Sequence, residues 1–205
     1  EGTTKNIKFD NVLIWTDLAQ SMEVGYECVG QVMEDIIFSN ITVIQNYHLA
    51  VLSIHNGNNA DIKRVKFENI TIENISYGNQ SNKVLDFSVA FSSTWSSQHK
   101  VTALGSVDGV NVSNVLLLKG IDHPHINIKG SMETRSGYPN VPHYVSNVTV
   151  EDFSIYGETL TSQYGYIEKE YVQNISFTKT GKDITGHIIS RDDISQYGHN
   201  IIVVE

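Results

Sequence analysis

Apolar and polar residues alternate in a short phrase that recurs along the chain. In the copy DIIFSNITV, Ile36 and Phe38 precede Asn40, and the apolar phase slips by one residue after it. Alternation with period two predicts β-strands. A slip at a residue that tolerates left-handed backbone predicts a bend between two short strands. The six copies of the phrase begin at Asn6, Asp35, Arg64, Gly109, Asn147 and Asn174.

The recurrence of this phrase predicts a solenoid, because a fixed phrase that returns about every 20–50 residues is typical of stacked coils. Asn11, Asn40 and Asn69 are separated by 29 residues each time. We expect them to stack about 4.8 Å apart as a ladder in which each amide bonds to the next. The prediction is an all-β, right-handed parallel β-helix. Residues 1–205 would form a single domain that is part of a longer β-helix. A propeller would need blades of about 40–45 residues with hairpin turns. The shorter period of this phrase therefore favours the β-helix over a propeller.

Composition narrows the classes of partner. The chain has 205 residues, of which 40% are hydrophobic, and a net charge of −9. This charge argues against nucleic acid or an anionic membrane surface as a partner. No run approaches the roughly 18 apolar residues of a membrane span. A lone cysteine, Cys28, excludes an internal disulfide. No motif indicates a cofactor or a metal site, and the oligomeric state stays open.

The segments between the phrases supply the candidate site. Their own alternation places three apolar residues inward at one level, namely Met22, Leu52 and Leu85. The outward neighbours would then form two rows, Glu23–Ser53–Asp86 and Gly25–His55–Ser88. The predicted groove face carries Asp17, Glu23, Glu27, His48, His55 and Asp86, flanked by Trp15 and Trp95.

Carboxylates, imidazoles and aromatic rings on one face suit carbohydrate chemistry. One acid protonates the leaving oxygen while a second carboxylate activates water, and aromatic faces pack on sugar rings. Asp17 and Glu23 are the catalytic candidates, and the other six residues would bind substrate. Glu23 and Asp86 would stack two coils apart, roughly 10 Å, a separation that favours an inverting mechanism. Each residue also has a structural interpretation, such as a turn for Asp17 or packing for His48 and His55.

Prolines and glycines mark one irregular loop. Pro139 and Pro142, together with Gly130 and Gly137, lie within residues 130–143. Such residues interrupt regular strands. We therefore expect this loop to form a wall of the groove.

Three segments carry a family resemblance, namely Trp15 to Glu27, Val51 to Ile62 and Val65 to Asn74. They resemble the bacterial polygalacturonase-type enzymes of glycoside hydrolase family 28. The later phrases VDGVNVSNVLLLKG and HYVSNVTVEDFSIYG continue the pattern, so the resemblance covers most of the chain. It implies a secreted or cell-surface enzyme of bacterial type that hydrolyses a polysaccharide or oligosaccharide with inversion.

The chain departs from that family at its motifs. Asp17 is single where the family has Asp-Asp, and His48 stands in Tyr-His-Leu where the family has Gly-His-Gly. Nothing matches Arg-Ile-Lys, and the Asn-Thr-Asp coil would lie upstream of residue 1. The resemblance therefore does not imply pectin as the substrate.

Two other functions stay open. One is a non-catalytic, glycan-binding or adhesive β-helix of the tailspike type. The other is a polysaccharide lyase, which would need a basic residue in the groove. Lys and Arg are sparse in residues 15–27 and 46–61, which argues against the lyase.

Overall fold

A computed structural model gives the fold and describes residues 2–26, 28–76, 82–91, 103–189 and 201–204. The protein is all-β, and within these residues no helix is long and apolar enough to cross a membrane. The strands are β1 (Thr3–Thr16), β2 (Met22–Tyr26), β3 (Val32–Asn46), β4 (Leu52–Asn56), β5 (Asp61–Ile72), β6 (Lys83–Val89), β7 (Ser106–Leu117), β8 (His125–Lys129), β9 (Ser131–Met132), β10 (Pro142–His143), β11 (Val145–Ile155), β12 (Glu158–Thr159), β13 (Ile167–Glu170), β14 (Val172–Thr178) and β15 (Ile201–Val204).

The strands form two main sheets. The first has the order β12-β11-β7-β5-β3-β1-β15, with β14 also paired to β11, and the second has the order β13-β8-β6-β4-β2. From β1 to β8, consecutive strands alternate between the two sheets, and all their pairings are parallel. The chain therefore adds one strand to each sheet in turn. Within the described part of the chain, antiparallel pairing is confined to β11 with β12 and to the β9–β10 hairpin.

Each long strand of the first sheet bends at left-handed residues. In β3 these are Asp35 (φ 57°) and Asn40 (φ 54°), and the corresponding positions in β5 are Arg64 and Asn69. The bend predicted at the recurring Asn is confirmed, whereas the bend at the first residue of each phrase was not predicted. Asn and Asp tolerate this conformation. Arg64 does not share that tolerance, and its guanidinium is held 2.7 Å from the Asp35 carboxylate.

Side-chain amides form a ladder at the second bend. Asn114 Nδ2 donates to Asn69 Oδ1 at 3.0 Å, and Asn69 Nδ2 donates to Asn40 Oδ1 at 3.2 Å. The first step differs from the prediction, since Asn40 Nδ2 donates to Asp10 Oδ1 at 2.7 Å and not to Asn11. A carboxylate is a stronger acceptor than an amide oxygen, which explains why Asp10 replaces Asn11 as the acceptor.

The core lies between the two sheets. Phe67 of β5 stacks on Phe38 of β3, with ring centroids 5.1 Å apart, and on Phe87 of the second sheet at 5.7 Å. Both Phe67 and Phe87 are fully buried. Phe9 continues the stack at 4.9 Å from Phe38 but is 41% exposed, because it lies on β1 near the edge of the sheet.

A segment after β14 crosses the outer face of the first sheet, and we call residues 180–189 the strap. Its contacts reach five successive strands, β11, β7, β5, β3 and β1. Its hydrogen bonds join Thr180 to Asp152, Thr185 and Gly186 to Asn114, His187 to Thr71, Thr42 and Asn11, and Ile189 to Thr42. Thr42 and Thr71 are consequently buried on a face that would otherwise be open to water.

We predict that Gly186→Ala loosens the strap. Gly186 has φ 56°, and a Cβ there would lie 2.2 Å from Thr71 Oγ1 and 2.8 Å from the Ile70 carbonyl oxygen. The free energy of unfolding should fall by roughly 2–4 kcal/mol in urea titrations, and the strap should become sensitive to protease. Gly181→Ala is the matched control, since Gly181 also has a positive φ but has nothing within 4 Å of its Cβ position. Equal losses in the two variants would contradict the packing of the strap on Thr71.

Candidate functional site

The outward face of the second sheet carries two rows of polar residues. Glu23, Ser53 and Asp86 are in register, as are Gly25, His55 and Ser88. Both registers agree with the stacking predicted from the alternation of apolar residues. The rows continue onto two further strands. Asn127 and Glu168 extend the first row, and Lys129 and Glu170 extend the second.

A shallow groove of about 330 Å³ lies over this face. It spans β4, β6, β8 and β13, and Gly130 and Ser131 of the 130–143 loop line it, as expected for a wall of the groove. The remaining lining residues are His55, Lys83, Asp86, Ser88, Val89, Ala90, Asn127, Lys129 and Glu168.

Asp86 is the centre of the groove. It is only 4% exposed, and donors from three strands surround its carboxylate. Lys83 Nζ lies 2.6 Å from Oδ2, and His55 Nε2 lies 3.3 Å from the same oxygen. Asn127 Nδ2 donates to Oδ1. Burial alone would raise the pKa of Asp86, but the hydrogen bonds and charges of His55 and Lys83 lower it, so the carboxylate is ionised.

His55 lies between two carboxylates. Its Nε2 faces Asp86, and its Nδ1 lies 3.3 Å from Glu23 Oε1. Tyr26 contacts the ring edge-on at 5.4 Å. Burial would lower the pKa of His55, but Asp86 and Glu23 outweigh it and raise the pKa to about 9. The imidazole therefore holds two protons at neutral pH.

Glu23 acts from beneath the groove surface. Both of its carboxylate oxygens are buried, and neither accepts a hydrogen bond from the described residues. Its Oε1 lies 3.3 Å from His55 Nδ1, an ion-pair contact that helps to raise the pKa of His55. A carboxylate in this position can orient His55 and favour its protonated form, but it does not reach a ligand in the groove.

Glu168 forms a second charged centre at the far end of the groove. Its carboxylate lies 2.5 Å from Lys129 Nζ and 3.1 Å from His125 Nδ1. The hydrogen bonds to Lys129 and His125 lower the pKa of Glu168. Its side chain is 48% exposed, so this ionised carboxylate is open to water.

The loop that walls the groove is fixed by a buried ion pair. The Arg135 guanidinium binds the Glu133 carboxylate and lowers the pKa of Glu133 to about 2. The guanidinium also stacks 4.1 Å from the Phe91 ring and 4.2 Å from the Tyr138 ring. Phe91 follows β6 closely, so the loop is anchored next to the strand that carries Asp86.

The structure brings together only part of the predicted face. Glu23, His55 and Asp86 are in contact. Asp17 instead accepts a hydrogen bond from Trp15 Nε1 at 3.0 Å on an exposed turn. His48 Nδ1 accepts one from the Ala19 amide at 3.2 Å, and neither residue lines the groove. Glu27 and Trp95 lie outside the described residues.

Sequence reasoning missed Lys83, Asn127, Lys129 and Glu168. Asn127 and Lys129 could have been found by extending the two rows to the next alternating segment, INIK. Glu168 is one strand further, in the segment between the fifth and sixth copies of the phrase. Within the described residues, no group of three or more His, Cys, Asp or Glu side chains is arranged to hold a metal ion.

Comparisons of the chain with protein-family models, curated proteins and solved structures find no match. The functional conclusion therefore depends on the residues of the groove.

We predict a high titration midpoint for His55. Because its folded pKa of about 9 exceeds the ordinary value of 6.5, its charge stabilises the fold fully below pH 6.5. That stabilisation, up to about 3 kcal/mol, should be lost as the pH rises through 9. NMR of the His55 ring should give the midpoint, and urea unfolding of wild type and His55→Gln at pH 6, 8 and 10 should show the two stabilities converging. Asp86→Asn should lower the midpoint. A wild-type midpoint at or below 6.5 would contradict the ion-pair geometry.

Proposed function

We propose that the protein is a polysaccharide-active glycoside hydrolase built as a right-handed parallel β-helix, with the groove as its active site. The alternation of consecutive strands between two parallel sheets supports the β-helix, and parallel crossover connections are almost always right-handed. The observation that carries the function is Asp86, a buried and ionised carboxylate under an open groove. A carboxylate that is buried under a cleft and kept ionised by neighbouring cations is typical of an active site.

The shape and polarity of the groove favour an extended glycan. The groove crosses four strands in the stacking direction, and its carboxylates alternate with cations and amides. Such a surface offers both donors and acceptors to hydroxyl groups along a chain of sugars. The resemblance to polygalacturonase-type enzymes points to the same substrate class and to an extracellular or cell-surface location.

Three groove residues divide the chemistry between them. Asp86 and Glu168 supply the acid and the base. One carboxyl protonates the glycosidic oxygen as the bond to the anomeric carbon breaks, and the other accepts a proton from the water that attacks this carbon. His55, whose Nε2 and Nδ1 face Asp86 and Glu23, holds the Asp86 carboxylate in place.

The spacing of the two groove carboxylates favours inversion. Asp86 and Glu168 are in register two strands apart, which is roughly 9.5 Å between backbones. A separation of this size leaves room for the attacking water. We assign the acid and base roles to Asp86 and Glu168 instead of Asp17 and Glu23, because neither Asp17 nor Glu23 lines the groove.

We predict that Asp86→Asn and Glu168→Gln each abolish turnover. Reducing-sugar release from cellulose, xylan, mannan, dextran and polygalacturonate identifies the substrate, and each variant should then lose about 10²–10⁴-fold in rate. The matched controls are Asp108→Asn and Glu151→Gln, which remove the same charges from the first sheet. Asp108 also accepts hydrogen bonds from its neighbouring strand, through Ser146 and Asn147.

The outcomes separate the competing functions. If both groove variants release reducing sugar as fast as wild type, the assignment of the active site is overturned. Glycan binding without release by wild type would favour a non-catalytic, adhesive β-helix. Thermal unfolding of each variant separates loss of chemistry from loss of fold.

One observation favours a lyase as the second candidate. Lys83 and Lys129 enter the groove from strands outside the two segments whose scarcity of basic residues argued against this function. A lyase would need such a cation beside the base that removes a proton from an acidic sugar. Its product contains a new double bond, so ultraviolet absorbance of the released chains distinguishes it from hydrolysis.

A further inference from the structure

Lys83 and Asp86 share one face of β6 although their spacing should separate them. In a regular strand, residues three apart point to opposite faces. Here Lys83 pairs with His125 and Leu85 pairs with Ile126, so Val84 is an extra residue without a partner on β8. This irregularity is a β-bulge, and bulges near active sites commonly re-aim a side chain. Val84 and Leu85 are both fully buried, while Lys83 reaches the groove.

With Lys83 brought in by the bulge, three side chains contact the Asp86 carboxylate. Oδ2 of Asp86 meets Lys83 at 2.6 Å and His55 at 3.3 Å, so both of its lone pairs have a donor. Among the described residues, Oδ1 accepts a hydrogen bond from Asn127, which leaves one of its lone pairs for a ligand. Oδ1 is therefore the oxygen that a ligand in the groove would meet.

We propose that Lys83, turned into the groove by the bulge at Val84, is a positioning residue that holds the Asp86 carboxylate ionised and oriented with Oδ1 toward the substrate. The proposal rests on the proposed function for its effect on turnover, but its effect on Asp86 itself needs no substrate. The other charged groups along the two rows are Glu23 on β2, His55 on β4, Lys129 on β8, and Glu168 and Glu170 on β13. Lys83 is the cation nearest to Asp86 among the ion pairs found.

The test compares Lys83→Met, which removes the charge, with Lys83→Arg, which keeps it. In the absence of glycan, the carboxyl carbon of Asp86 is followed by NMR titration, with Asp86→Asn used for assignment. We expect the midpoint of Asp86 to rise in Lys83→Met and to stay near wild type in Lys83→Arg. The midpoint of His55 should also rise in Lys83→Met, because a repelling cation has left the oxygen that the two share.

Kinetics on the polysaccharide cleaved by wild type give the second readout. Lys83→Met should lower kcat by roughly 10- to 100-fold with little change in KM, and the acid limb of the pH profile should move to higher pH. Lys83→Arg should restore most of kcat. A rise in KM with unchanged kcat would show that Lys83 binds substrate directly and would overturn the proposal.

Failure of this proposal and failure of the proposed function have different signatures. If wild type cleaves no glycan but the Asp86 midpoint rises in Lys83→Met, the hydrolase function fails and the role of Lys83 stands. An Asp86 midpoint that is the same in wild type and Lys83→Met overturns the role of Lys83 whatever the activity. Thermal unfolding of both variants checks that the fold is retained.

Discussion

In-register parallel pairing is the constraint on which the rest of the structure depends. Backbone hydrogen bonds hold successive strands about 4.8 Å apart, so the nearest neighbours of a side chain are its counterparts on the adjacent strands. Left-handed residues recur at the same two positions of the long strands and keep the bends aligned from strand to strand. The amide ladder through Asn69 and the phenylalanine stack through Phe67 both follow from this alignment.

The same constraint shapes the charged groove. Equal charges repeated on adjacent strands would lie close together and repel one another. In the first row, Ser53 and Asn127 separate the carboxylates of Glu23, Asp86 and Glu168. The second row offsets the cations, so that His55 lies between Glu23 and Asp86. The arrangement places opposite charges next to one another and keeps like charges apart.

The two sheets differ in what covers their outer faces. The strap crosses the first sheet, where it buries Thr42 and Thr71 and satisfies the polar groups of the ladder. Over the second sheet, the described residues leave an open groove above Asp86, walled on one side by the loop that Glu133 and Arg135 stabilise. Chemistry is thus assigned to the sheet whose polar face remains accessible.

The sequence by itself determined the all-β, parallel character of the fold and the register of the central rows. Alternation fixes which residues face inward, and repetition fixes which residues stack, so Glu23, Ser53 and Asp86 could be aligned from pattern alone. Tertiary structure decided the rest. The bulge at Val84 breaks the alternation from which the rows were aligned, and it places Lys83 in contact with Asp86. Glu168 stacks two strands beyond Asp86, past the rows that were aligned from the sequence. Burial separates Glu23 from the groove surface, while Asp17 stays on a turn with Trp15. These outcomes depend on contacts between distant segments, which local periodicity does not encode.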